Sequence, residues 1–174
     1  MATPTCSDTY HHARPLQRPS PVTAKRWRQS CATVRERGLL YGMSPTLKFA
    51  DAQRILAAGL AKADEIGQPM NIAVVDAGGH LLAFGRQDGA IRASIDISQR
   101  KALTSILMNT STAALTELVQ PGAELYGLEQ TAGGMVAFGG GVPIYRGSEL
   151  VGAVGVSAGT VEQDVTVAEA AAKG

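Results

Sequence analysis

Apolar residues recur at alternating three- and four-residue spacing from Phe49 to Ile66, which is the period of an amphipathic helix. The helix-start signal Ser44-Pro45-Thr46 precedes this stretch. Gly67 and Pro69 follow it, in the order typical of a helix end. We therefore predict one amphipathic helix between these two signals.

Residues 70–76 and 81–84 are two short β-type runs, and the four residues Ala77-Gly78-Gly79-His80 join them. Short apolar runs separated by a glycine-containing turn are typical of a β-hairpin. Residues 91–108 lack proline and glycine, and they predict a helix. A shorter helical stretch is expected at residues 113–119, before Pro121-Gly122 breaks it.

Glycines interrupt short β-type runs at close intervals between Thr131 and Ser157. This pattern predicts a strand, a glycine bend, a second strand, a tight turn and a third strand. The segment Thr160-Val-Glu-Gln163 has the spacing of a capping box, so a closing helix through Ala172 is expected. Most of the strand connections are too short for parallel crossovers. The order of elements therefore predicts an α+β fold, an antiparallel sheet with helices packed on it.

Three consecutive glycines, Gly139, Gly140 and Gly141, form the predicted bend. Glycine reaches positive φ and lets another backbone or a ligand approach closely, so we expect a bend here that other residues tolerate poorly. The amides of the same three residues could line an anion-binding nest.

The chain has 174 residues, of which 45% are apolar, enough for one domain with a core. Lys and Arg number 16 against 15 Asp and Glu, so the charge balance favours neither nucleic acid nor an anionic membrane as a partner. No apolar run reaches the roughly 18 residues of a membrane-spanning helix. We expect a cytoplasmic protein whose partner is a small molecule.

The first 42 residues differ from the rest, because they hold seven basic and two acidic residues and many Pro, Ser and Thr. They are interpreted as a disordered basic leader, with Met43 as an alternative start and residues 43–174 as the folded domain. Cys6 and Cys31 both lie in the leader, which excludes disulfides and thiolate metal sites from the domain. The pair His11-His12 lacks a complete ligand set with Cys6, so no metal site is predicted.

His80 is the only histidine of the predicted domain, and it lies in the hairpin turn. The simpler interpretation is an exposed turn residue without a role. The alternative is a metal, haem or proton-transfer role, for which imidazole is suited. No second histidine is present in the domain for a two-histidine metal site.

Four charged residues have two interpretations each. Arg86 and Asp88 could present a guanidinium to a carboxylate or phosphate, or they could form a surface Asp-Gly turn. Lys101 could reach an acidic ligand, although extending its ammonium to water is the safer interpretation. Asp164 could be a functional carboxylate, but its position in the first turn of a helix already accounts for it. No nucleophile elbow, P-loop or dinucleotide-binding motif is present.

Five motifs, taken in this order and spacing, resemble the GlcG/HbpS-like haem-binding family. They are VDAGGHLLAFGRQDGA at 75–90, KALT at 101–104, GGVPI at 140–144, GAVGVS at 152–157 and QD at 163–164. The resemblance covers about residues 46–173. It implies a profilin-like arrangement of α/β/α layers around a five-stranded antiparallel sheet, and assembly into homo-oligomers. Some members of the family bind haem and most have no established activity, so the resemblance favours a ligand-binding role over a particular reaction.

The leading hypothesis is an oligomeric protein whose pocket, near residues 139–143 and the Arg86-Asp88 turn, accepts haem or another anionic cofactor or metabolite. Its candidate cofactor-binding residues are His80, Arg86, Asp88, Lys101, Gly139, Gly140, Gly141 and Pro143. One alternative is a catabolic enzyme acting on an organic acid, with Asp76, Asp88 or Asp164 as acid or base. The other is an accessory subunit without a ligand, which would lack a pocket lined by polar groups.

Overall fold

Two β-hairpins and three helices make up residues 46–174, the part of the chain that the computed structural model describes. The leader and the residues His11, His12, Cys6 and Cys31 lie outside these residues. In chain order the elements are α1 (Phe49–Glu65), β1 (Asn71–Asp76), β2 (Leu81–Arg86), α2 (Ser94–Met108), β3 (Gly141–Arg146), β4 (Glu149–Ser157) and α3 (Val161–Ala171). Three short 3₁₀ turns lie between α2 and β3, at Thr112–Leu115, Glu117–Val119 and Leu128–Gln130.

The four strands form one antiparallel sheet with the order β2-β1-β4-β3. Helices α1 and α3 pack on one face of this sheet, and α2 packs on the other face. The prediction of an α+β fold with an antiparallel sheet flanked by helices is therefore confirmed. Both predicted hairpins are present, and the capping box Thr160–Gln163 begins α3 as expected.

The prediction of five strands is wrong, because the sheet within residues 46–174 has four. The apolar run before the glycine bend was predicted as a strand, but its amides have other partners. Val136 N donates to Thr104 Oγ1 on α2 at 2.9 Å, and Met135 N donates to the Glu129 carbonyl at 3.0 Å. Gly133 and Gly134 just before it have positive φ, which interrupts an extended strand. The profilin-like arrangement stays a prediction.

The three predicted long helices are present, but the start of one helix and the type of the shorter helical stretch differ from the prediction. The helix predicted from residue 91 begins at Ser94, and the shorter helical stretch forms two 3₁₀ turns instead of an α-helix. The buried stripe of α1 also differs from the spacing used to predict it. Phe49 is 58% exposed, whereas Gly59 is buried. A Cβ at Gly59 would lie 2.9 Å from Ile72 Cδ1, so this glycine lets α1 lie close to the sheet.

The two faces of the sheet carry side chains of different size. The α1 and α3 face is built from large side chains such as Val74, Val154 and Val156. The α2 face carries small residues, among them Ala153 and Gly155. A Cβ added at Gly155 would overlap the carbonyl of Ser98 and lie 2.5 Å from the backbone N of Ala102. Helix α2 therefore lies unusually close to the sheet.

Asp51 in the first turn of α1 holds the end of β3 against that helix. Its carboxylate lies 2.6 Å from Arg146 Nη2 and 2.6 Å from Arg54 Nη2, and it accepts the backbone N–H of Lys48 at 3.1 Å. These donors, with Arg146 the strongest, lower the pKa of Asp51 to about 2. No helix within residues 46–174 is long and apolar enough to cross a membrane.

We expect Gly155→Ala to lower the free energy of unfolding by about 3 kcal/mol, because the new methyl group overlaps helix backbone that cannot rotate away. Gly67→Ala is the control. Gly67 has φ +68° and nothing within 4 Å of its added Cβ, so only the backbone cost of about 1 kcal/mol remains. Urea denaturation of both variants checks this. Equal losses would contradict the close approach of α2.

We expect the stabilising effect of Asp51 to depend on pH. Its pKa is lower in the folded chain than in the unfolded chain, so its contribution is present above about pH 4 and is lost as the pH falls through about 2. Urea denaturation of the wild type and of Asp51→Asn between pH 3 and pH 6 checks this. The stability difference between them should grow with pH and then become constant. A difference that does not change with pH would contradict the ion pair with Arg146.

Candidate functional site

A fully buried ion pair joins α2 to α3. The ammonium of Lys101 lies 2.7 Å from Asp164 Oδ2 and donates a second hydrogen bond to the Val156 carbonyl at 3.0 Å. The side chain of Lys101 is 0% exposed and that of Asp164 is 4% exposed. The ring centroid of Phe138 lies 4.6 Å from Lys101 Nζ, within the range of a cation–π contact. The pair thus connects helices on opposite faces of the sheet.

Burial changes the acidity of both partners. Loss of hydration lowers the pKa of Lys101, although its hydrogen bond to Asp164 opposes this effect. Burial raises the pKa of Asp164, against the opposing hydrogen bond from Lys101. The other carboxylate oxygen of Asp164 accepts the N–H of Gly159 at 3.0 Å, so both oxygens have donors. The interpretation of Lys101 as a water-seeking side chain is therefore wrong, and Asp164 does more than compensate a helix dipole.

The glycine bend closes over this pair. Gly140 has φ +117°, and a Cβ there would lie 2.8 Å from Lys101 Nζ and 2.6 Å from the Val156 carbonyl oxygen. Gly139 and Gly141 are equally tight, because an added Cβ would lie 2.6 Å from Val165 Cγ2 and 2.5 Å from the Lys101 carbonyl, respectively. The predicted bend that requires glycine is present.

The proposed anion nest at this bend loses one donor, because Gly141 N already donates to Thr112 Oγ1 at 2.8 Å. Pro143 lies two residues further on, inside β3, which pairs with β4 alone in the described sheet. A proline has no N–H for a strand partner, so an edge strand is where it fits. Residues 139–141 therefore pack tightly around the ion pair, and Pro143 lies in the edge strand that follows them.

His80 lies at the opposite corner of the sheet, in the turn of the first hairpin. Its side chain is 80% exposed, as expected for a turn residue. Asp76 holds it: the carboxylate accepts the backbone N–H of His80 at 2.9 Å, and its Oδ1 lies 3.2 Å from Nδ1 of the ring. A carboxylate at Nδ1 favours the tautomer with the proton on that nitrogen. The lone pair of Nε2 is then free to bind a metal or a proton.

A cavity of about 260 Å³ lies between α2 and the first hairpin, and it is lined by Gly79 and Leu81, the chain neighbours of His80, but not by His80 itself. We call it the hairpin groove, and it is lined by Val75, Gly79, Leu81, Asp96, Gln99, Arg100 and Leu103. Arg100 is held at its rim by Asp96 Oδ2, 2.5 Å from Nε, and by the carbonyls of Gly133 and Gly134. The groove therefore combines an apolar wall with one fixed cation.

A second cavity of about 570 Å³ lies between the end of α1 and the end of β2. We call it the polar groove, and it is lined by Ala63, Asp64, Gly67, Gln68, Pro69, Arg86, Gln87 and Asp88. Arg86 and Asp88, two of the predicted binding residues, both line it. Its polar lining also differs from what a ligand-free accessory subunit would show.

The residues predicted for one pocket lie in three places. His80 and Arg86 flank β2 from opposite ends, about 20 Å apart for a strand of this length. Residues 139–143 and the Arg86-Asp88 turn belong to β3 and β2, which are separated by three strand spacings, about 14 Å. Neither of the two cavities is lined by both groups of residues, and the single pocket expected between them stays a prediction. No group of three His, Cys, Asp or Glu side chains that could hold a metal ion occurs within residues 46–174.

Residues 47–173 match the family described as haem degrading protein HbpS-like. The chain belongs to this family, and the resemblance noted from its motifs is confirmed. An uncharacterized 15.0 kDa protein from the dhaT-dhaS intergenic region of Citrobacter freundii is 46% identical over 127 residues, covering 72% of this chain and 89% of that protein.

Two further relatives carry more informative names. The corrinoid adenosyltransferase PduO of Citrobacter freundii is 40% identical over 127 residues, which cover 72% of this chain and 38% of PduO. The chain thus spans little more than a third of that relative. The crystal structure of a PduOC–heme complex has 37% identity and a TM-score of 0.71, and the match covers 74% of this chain and 94% of that one.

We expect Lys101→Met and Asp164→Leu each to lower the free energy of unfolding by about 3–5 kcal/mol, because either change leaves one charged group buried without its partner. The double variant should lose clearly less than the sum, since it buries no charge. Urea denaturation of the four chains in a double-mutant cycle measures this coupling. Additive losses would contradict a buried ion pair.

Proposed function

We propose that the protein binds haem or a related anionic cofactor in the hairpin groove, with His80 as the ligand of the iron. The observation that carries this proposal is the imidazole held by Asp76 in the hairpin turn, between Gly79 and Leu81, which both line the groove. Metal-binding histidines commonly donate their other ring nitrogen to a carboxylate, which fixes the ring and strengthens the ligand. Asp76 is in position to do this for Nδ1, which would leave Nε2 to bind the iron.

The hairpin groove fits the remaining parts of such a cofactor. Val75, Leu81 and Leu103 offer apolar contact to a macrocycle. Nε and Nη1 of Arg100 already donate to Asp96 and to the carbonyls of Gly133 and Gly134, so its Nη2 would be the group that donates to a propionate. When bound, haem would supply redox and axial-ligand chemistry. The residues of this chain would bind it, orient it and limit the access of water.

One chain covers only part of a haem. The groove has about 260 Å³, less than the roughly 300–1,000 Å³ of pockets that enclose small molecules. Leu81, which lines the groove, is 49% exposed, and so is Leu107, which lies one helical turn after the lining residue Leu103. A second copy of the chain would cover these residues and the outer face of the cofactor, which is why we include homo-oligomerisation in the proposal.

The relatives support the choice of ligand. The PduOC structure was obtained with heme, and the family description concerns haem. One observation supports the alternative of a catabolic enzyme: burial raises the pKa of Asp164, as is common for catalytic carboxylates. That carboxylate, however, is paired with Lys101 and lines neither of the two cavities. We therefore prefer ligand binding, and we leave Lys101 and the glycine bend out of the haem site.

We expect saturable haem binding by the full-length chain, followed by the Soret band, and at least about a tenfold loss of affinity in His80→Ala. Asp76→Asn should weaken binding less and shift the Soret band, because it changes the electron donation of the imidazole. Added imidazole should restore the wild-type spectrum of His80→Ala, since it replaces the missing ligand. A purely structural effect of the substitution would not be reversed in this way.

Ser148→Ala, in the exposed turn of the other hairpin, is the control and should bind haem as the wild type does. Sedimentation velocity with and without haem tests the contribution of a second copy. Unchanged haem affinity and spectrum in His80→Ala would refute His80 as the ligand. Unsaturable association by the wild type would refute haem binding itself.

A further inference from the structure

We propose that the polar groove is a second binding site, for a small zwitterion that carries a carboxylate and an ammonium group. Arg86 would bind the carboxylate, and Asp64 and Asp88 would bind the ammonium. This site is separate from the hairpin groove and does not depend on haem binding, because the two lie at opposite ends of β2.

The groove is shaped in advance by bonds that need no ligand. Gln87 accepts the N–H of Met70 through Oε1 at 2.8 Å, and its Nε2 donates to Asp64 Oδ1 at 2.6 Å. Gln68 donates through Nε2 to the carbonyls of Pro69 and Ala158, both at 3.3 Å. These contacts tie the end of α1 to the ends of β2 and β4. A site held in place by such contacts loses little freedom when a ligand binds.

Arg86 supplies the positive end of the groove. Its side chain is exposed, and within residues 46–174 no carboxylate lies within 4.0 Å of its guanidinium. Other arginines that the structure describes, such as Arg100 and Arg146, have carboxylate partners at 2.5 and 2.6 Å. A guanidinium binds a carboxylate through two parallel N–H bonds, so Arg86 is available for that contact.

Asp64 and Asp88 supply the negative end. Only Oδ1 of Asp64 is engaged by Gln87, so its second oxygen can accept from a ligand. One guanidinium and two carboxylates give the lining a net charge of −1, which disfavours dianions such as phosphate or a haem with two propionates. A ligand with one charge of each sign satisfies both ends. Ala63 and Pro69 offer apolar contact to the carbon atoms between the charges, and about 570 Å³ is ample for such a molecule.

The test uses probes that separate the two charges. Acetate, methylammonium, glycine, β-alanine and 5-aminovalerate are titrated into the full-length ¹⁵N-labelled protein, and amide shifts are followed at residues 63–69 and 86–88. We expect at least one of the three amino acids to bind about tenfold more tightly than either acetate or methylammonium, because it makes both contacts. The member that binds best reports the distance between the charges.

Three substitutions and one control complete the test. Arg86→Ala should lower the affinity for the amino acid that binds best about tenfold. Arg86→Lys should lower it less, because lysine keeps the charge but cannot form the paired N–H bonds. Asp88→Asn should lower the affinity for methylammonium and for the amino acid but leave the affinity for acetate unchanged. Arg92→Ala removes an exposed arginine that does not line the groove, so binding should be unchanged.

Three results would each overturn the proposal. The first is acetate binding as tightly as every amino acid, which would mean that the groove recognises an anion alone. The second is no saturable shift with any amino acid, and the third is equal weakening by Arg86→Ala and Arg92→Ala. The haem titration tests the hairpin groove, at the other end of β2. The two experiments are therefore independent, and either proposal can fail while the other holds.

Discussion

The contact between Lys101 and Asp164 is the constraint on which the surrounding packing depends. A buried ammonium needs a carboxylate and further acceptors, and these come from α3 and from the backbone of β4. Helix α2 must therefore lie close to the sheet, which the small residues on that face permit. The backbone at Gly140 lies close to the ammonium as well. A side chain at this position would collide with the ammonium, so the residue must be glycine. A helix, a bend and the start of a strand therefore meet at this one interaction.

Around this rigid side of the molecule, the first hairpin is the more open part. β2 lies at an edge of the sheet, and most of its residues are partly or fully exposed. Its two ends differ in chemistry: the exposed imidazole of His80 lies at one end, and Arg86 lines a groove together with Asp64 and Asp88 at the other. The charges of Lys101 and Asp164 are thus buried and paired, whereas Arg86 and Asp88 are exposed.

Local patterns in the sequence were sufficient to predict the three α-helices, both hairpins and the need for glycine at residues 139–141. They were insufficient where the partner is distant in sequence. Asp164 lies 63 residues from Lys101, and the hydroxyl that binds the amide of Val136 comes from a helix 32 residues earlier. The candidate site was only partly predicted for the same reason. His80 and Arg86 were recognised as exposed groups, but their separation and the roles of Asp76 and Arg100 depend on the folded geometry.

The position of Pro143 has a consequence for how the sheet ends. Both outer strands of the described sheet present backbone groups that another chain could pair with, which is a risk of aggregation. On β3 a proline removes one donor from this row, so an added strand would lack a bond at that point. β2 has no proline to interrupt it. The two edges are therefore unequal, and any extension of the sheet by a neighbouring strand is favoured on the side of β2.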